Sequence, residues 1–111
     1  MLLNGLSVSV SNIESRNGNK IANQFVINCG RIKALQSYES LVLSYNYSTK
    51  TLFVGADYNY SNTTRKYVNI FLNDYLNMWE LNTKELAKLE KQNATSYTLT
   101  NGLVIALVFE R

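Results

Sequence analysis

Apolar and polar residues alternate strictly through Leu6-Ser7-Val8-Ser9-Val10-Ser11 near the start of the chain. Successive side chains of a strand point to opposite faces. The run therefore predicts a half-buried strand with Leu6, Val8 and Val10 inward and the serines outward. Asn17-Gly18 supplies a tight-turn signal, and the next run places Phe25, Ile27 and Cys29 on one face, so the two read as a hairpin. Past Gly30, residues 31–37 suit a short third strand. Alternation resumes and brings Leu41, Leu43, Tyr45 and Tyr47 together; residues 48–50 turn, and residues 51–55 return as the partner of a second hairpin.

From Ser61 the period changes from two to that of a helix. Val68, Phe71, Leu72, Tyr75, Leu76 and Trp79 fall at i, i+3, i+4, i+7, i+8 and i+11, one apolar face of a long helix. Asn82 opens a second, shorter helix over residues 83–92, with Glu85 at the capping-box position. Asn101-Gly102 then predicts a closing hairpin. Its second run, residues 103–109, is apolar without a break, the pattern of a central strand buried on both faces. The expectation is one α+β domain over residues 1–111. Antiparallel β-hairpins form one sheet packed on the long amphipathic helix and the short second helix, with the C-terminal hairpin central.

Composition narrows the chemistry. Histidine is absent, which removes His-based triads, most zinc sites and the commonest general base. The single cysteine, Cys29, cannot close an internal disulfide or build a structural zinc site. On a strand face beside Phe25 and Ile27 it reads as a small buried hydrophobe. No Gly-rich phosphate loop or calcium loop occurs, so the chain is expected to be no enzyme and to take no metal or cofactor. Its net charge of +3 is mildly basic, short of the clustered charge of a nucleic-acid binder. No apolar run approaches a membrane span and no signal peptide is expected, which together with the lone cysteine points to a reducing cytoplasm.

The start of the long helix is the candidate site. Ser61, Asn62 and Thr63 are all good N-caps. A cap alone leaves Arg65 and Lys66 unexplained, because cations in a first turn oppose the helix dipole. Hydroxyls of Ser61, Thr63 and Thr64, free amides and two cations would suit an anion. A protein partner is the other reading, with Tyr67 and Ile70 completing a contact patch on the outward side of the helix. Asp57 offers an internal counter-charge to the two cations.

Two segments carry a resemblance. Gln36, Ser37, Tyr38 and Ser40, followed by Tyr60, Ser61, Thr63, Thr64, Lys66, Tyr67, Phe71 and Leu72, resemble the pattern of a family of small uncharacterised proteins carried by phages and plasmids of low-GC bacteria. The resemblance spans roughly residues 20 to 92 and implies a mobile-element origin and a bacterial host cytoplasm, with no assigned activity. The expected function is stoichiometric binding of a host protein, foremost a defence component such as a CRISPR effector nuclease. A nucleic-acid-binding module using Arg31, Lys33, Lys50, Arg65 and Lys66 is the alternative.

Overall fold

A computed structural model of the chain describes residues 2–3, 6–15 and 17–110. The strands are β1 (Leu2–Leu3), β2 (Leu6–Glu14), β3 (Lys20–Cys29), β4 (Ile32–Ser37), β5 (Ser40–Asn46), β6 (Thr51–Val54), β7 (Ser96–Thr98) and β8 (Val104–Phe109). Between β6 and β7 lie α1 (Asn62–Ile70), continued by a π-helical segment (Phe71–Tyr75), and α2 (Thr83–Lys91). The fold is α+β. One sheet runs in the order β1-β2-β3-β4-β5-β6-β8-β7. Every neighbouring pair is antiparallel except β6 and β8, which are parallel. Parallel neighbours need a long crossover, and the helices supply it.

Strand register sorts the side chains into two faces. Val26, Leu35, Leu43, Val54 and Phe109 form one continuous row across five strands, and all are buried. With Tyr45, Leu52, Ile105 and Leu107 they meet Val68, Phe71 and Leu72 of the helix in a single core. The opposite row is Val10, Ile27, Ala34, Ser44, Phe53 and Val108. No helix covers it. Where Leu35 and Gln36 of β4 pair with Leu43 and Leu41 of β5 the register shifts, so the extra residue Val42 turns inward and Leu41 outward. Gly55 backs onto this bulge. A Cβ at Gly55 would collide with the Leu41 carbonyl, so only glycine fits there.

Several expectations need correction. The predicted C-terminal strand is one place from the sheet edge, between β6 and β7, and only one of its faces is buried. Val104 and Val108 are 56% and 47% exposed while Ile105, Leu107 and Phe109 are buried. An unbroken apolar run therefore marks one face against the core and one face left open. The first strand is likewise inverted. Val8 and Val10 lie on the helix-free face, and Ser9 and Ser11 share the face of the core row but are exposed, because the helices do not extend over most of β2. The side chain of Leu6 lies outside the described residues.

The long helix is shorter than its apolar stripe. Leu76 N–H donates to the Phe71 carbonyl at 3.0 Å, the i−5 bond of a π turn, and Met78 N–H donates to Leu72 O at 2.7 Å. Asn77 then takes φ 56°, which ends the helix. Trp79 falls beyond it. Both Asn-Gly pairs do turn the chain, yet in each the glycine alone is left-handed, with φ 79° at Gly18 and 91° at Gly102. The Gly102 N–H donates to Leu99 O and the Leu99 N–H to Leu103 O, both at 2.8 Å. That is a three-residue hairpin loop with a glycine bulge.

Candidate functional site

Ser61 is extended at φ −146°, and its Oγ accepts from Thr64 N–H at 3.1 Å, the bond that defines an N-cap. The two hydroxyls also pair at 3.1 Å, and Thr64 is buried. Arg65 does not reach outward: one guanidinium nitrogen donates to Asn59 O at 3.0 Å and another to Asn62 Oδ1. It ties the approach loop to the first turn, which explains a cation at the wrong end of the dipole. Asp57 is engaged elsewhere, accepting from Ser40 Oγ at 3.3 Å. Of the predicted cluster, Ser61, Thr64 and Arg65 thus serve the helix start. Thr63 is exposed and makes no side-chain hydrogen bond among the described residues.

Lys66, Tyr67 and Ile70 belong together, although not on an outward helix face. Tyr67 is a core residue at 8% exposure and Ile70 packs against the core's margin. The helix was expected to be covered on one side only. In fact the β2–β3 turn and the 77–82 loop approach it from another. Between these elements lies a cleft of about 600 Å³, walled by Lys66, Tyr67, Ile70, Leu81 and Trp79, with Asn17, Asn69, Asn73 and Asn82 around it. The Lys66 ammonium stands 5.5 Å from the centre of the Tyr67 ring, a cation–π distance. Trp79 is 64% exposed on the wall of this cleft.

The polar lining of the cleft is mostly amides, beside the Lys66 ammonium, the Asp74 carboxylate and the Ser15 hydroxyl. Asn69 Oδ1 accepts from Thr83 N–H at 2.8 Å, and Asn82 Oδ1 accepts from Glu85 N–H at 2.8 Å as the cap of α2. With their oxygens committed, their NH₂ groups are donors toward a ligand. Asn73 Nδ2 donates to Asp74 Oδ1 at 2.7 Å, which leaves its own oxygen as an acceptor. Donors, acceptors, one cation, one carboxylate and an exposed indole can recognise peptide groups and side chains.

A second hollow, of about 400 Å³, lies at the other flank of the helix start. Ser37, Tyr38 and Ser40 wall it from the β4–β5 turn, and Tyr60 and Thr64 from the helix entry. The two stretches singled out in the sequence thus converge in space. Tyr58, in the same loop, is buried and donates to Glu90 Oε1 at 3.1 Å, pinning the loop to α2. Burial first, then the Glu90 charge and hydrogen bond, push its phenol up to about 12.

A model of a family of unknown function, DUF8033, matches residues 8–97. The chain belongs to this family. The matched part of this DUF8033 chain includes every wall residue of both hollows and stops within β7. Nothing among the curated proteins or the solved structures matches it.

Two further features of the DUF8033 chain bear on chemistry. Among the described residues, no group of three or more Cys, Asp or Glu side chains is placed to hold a metal ion. No helix among them is long and apolar enough to cross a membrane. The five basic residues proposed for nucleic acid are dispersed. Arg31 and Lys50 occupy turns at one end of β4–β6, while Thr64, next to Arg65, lines the hollow at the opposite end with Ser37 and Ser40. Lys33 reaches the Tyr75 carbonyl, 3.5 Å away near the helix end.

The sequence reading singled out Lys66, Tyr67 and Ile70, which line the cleft, and did not single out Trp79, Asn69, Asn73 and Asn82, which line it with them. Trp79 had been counted into the apolar stripe. The available signal was the pair Asn77 and Asn82 flanking it, since asparagine ends and starts helices.

Proposed function

We propose that the protein acts by stoichiometric binding of another protein, with the Lys66–Trp79 cleft as its contact surface. The observation that carries this reading is Trp79, exposed on the cleft wall beside Ile70 and Leu81. Exposed indole is costly to leave in water and dominates binding energy where interfaces form. The amides around it satisfy polar groups that a partner would bury. Resemblance to proteins of mobile elements directs the choice of partner to a bacterial defence component, foremost a CRISPR effector nuclease.

The test is a cleavage titration. A panel of effector nucleases is mixed with increasing amounts of the protein, and cleavage of target DNA is measured. Cleavage by one effector is expected to fall linearly and stop at an integral molar ratio. Trp79→Ala is expected to weaken the inhibition at least tenfold, the cost of losing an interface hot spot, with an unchanged melting curve. Full cleavage by every effector at saturating protein would reject the partner class. Unaltered inhibition by Trp79→Ala would move the contact surface away from the cleft.

A further inference from the structure

We propose that the helix-free face of the sheet is a homodimer interface, on which two copies of this chain pack face to face about a two-fold axis. Three rows of the register define the face. They are Val10-Ile27-Ala34-Ser44-Phe53-Val108, then Val8-Cys29-Ile32-Asn46-Thr51-Ala106, then Asn12-Phe25-Gln36-Leu41. Of the nine exposed large hydrophobic side chains among the described residues, five lie here: Val10, Ile32, Leu41, Val104 and Val108. Phe25, Ile27 and Phe53 are half-buried only by their neighbours in the sheet and do not join the core.

Charge selects the occupant. The three rows contain no Asp, Glu, Lys or Arg, although the chain carries 11 basic and 8 acidic residues. Their polar members are Ser, Thr, Asn and Gln, each of which both donates and accepts hydrogen bonds. Such groups can pair with one another across a two-fold axis, where residue i meets residue j and j meets i, and on the axis itself with their own copies, where a fixed charge would meet its like. A charge-free, self-complementary face suits a second copy of this chain. Size agrees. Six strands about 4.8 Å apart, each about six residues of 3.3 Å, project on the order of 600 Å², and accessible area exceeds projected area. A standard interface takes about 800 Å² from each partner. Sheets of this kind pack about 10 Å apart with strands crossed near −30°, which accommodates their twist. The inference is independent of the cleft, which lies on the helix side.

Sedimentation of the full chain tests it. At about 100 µM, above the dissociation constant of an ordinary dimer, the wild type is expected to be dimeric. Leu41→Lys and Val108→Lys place an ammonium in the interface, and each is expected to weaken the dimer at least tenfold while keeping a cooperative melt. Tyr60→Lys, on an exposed residue away from this face, is expected to change nothing. A measurement without substitutions guards against misfolded variants: Cys29, on the face itself, should react with a thiol reagent more slowly as wild-type concentration rises. A monomer at all concentrations overturns the proposal. So does a dimer that survives both lysines, or a Cys29 rate independent of concentration. A different protein seated on a monomer's face overturns it as well.

Discussion

Ser61 and Thr63 are neighbours two apart with similar side chains and different duties. Ser61 Oγ accepts from an orphan amide of the first turn, whereas Thr63 is exposed. Ser61→Ala is therefore expected to cost about 1 kcal/mol and Thr63→Ala under about 0.5 kcal/mol, measured by urea denaturation. Equal losses would mean that the cap is misassigned. A cap somewhere in Ser61 to Thr63 was legible, because a cap depends on residues three apart; which of the three serves was not. The destination of Arg65 was not, since it bonds a loop carbonyl whose position depends on the rest of the fold. Gln24 was equally opaque. It is buried on the core face opposite Ser37, where periodicity alone expects an apolar residue.

Tyr58 offers a test that depends on pH. Its phenol ionises at about 12 in the folded chain, against 10.0 for an ordinary tyrosine. The folded state therefore holds the proton through that window while the unfolded chain loses it. Its contribution is present in full below pH 10 and is lost as pH rises toward 12. Stability of the wild type should accordingly fall more steeply than that of Tyr58→Phe between about pH 10 and pH 12 in parallel denaturant titrations. Parallel curves would show that neither burial nor Glu90 holds the proton on the phenol.

At the scale of elements, what could be read was local. Two hairpins, the third strand, the asparagine cap of α2 and the closing turn all depend on residues close in the chain, and all are present. What could not be read was which side of each strand would be covered. That depends on the parallel pairing of β6 with β8, which brings together residues some fifty positions apart. Adjacent residues of β8 provide the sharpest check. Leu107 is buried in the core and Val108 is open on the other face. Leu107→Ala is expected to cost about 2–5 kcal/mol, and Val108→Ala no more than about 1 kcal/mol, from lost strand propensity. Thermal melts of the two variants, at a concentration low enough to keep the chain monomeric, decide between one covered face and two. If Val108→Ala were as damaging as Leu107→Ala, the strand would be buried on both sides as the apolar run alone suggests.

At the scale of the molecule, the distribution of charge separates a protein binder from a nucleic-acid binder. Neutralising six to ten phosphates makes affinity fall about 10³–10⁵-fold between 50 and 200 mM salt. Among the described residues, the five cations considered for that role do not gather on one surface. Arg31 and Lys50 share one end of the sheet, Lys66 stands in the cleft at the other, and Arg65 and Lys33 are turned onto backbone carbonyls. In the proposed complex the cleft brings one cation and one carboxylate, so screening is expected to change affinity little beside the contributions of the indole and the amides. Binding of the protein partner is therefore expected to weaken less than about tenfold across the same salt range, and Lys66→Ala should remove most of that dependence. Mixed-sequence DNA and RNA oligonucleotides titrated at the lower salt should show no saturable binding. A steep salt slope, or a duplex retained at low salt and released by Lys50→Ala, would return the function to nucleic acid. It would also require a path along the surface that joins the two ends of the sheet, past the neutral rows that now separate them.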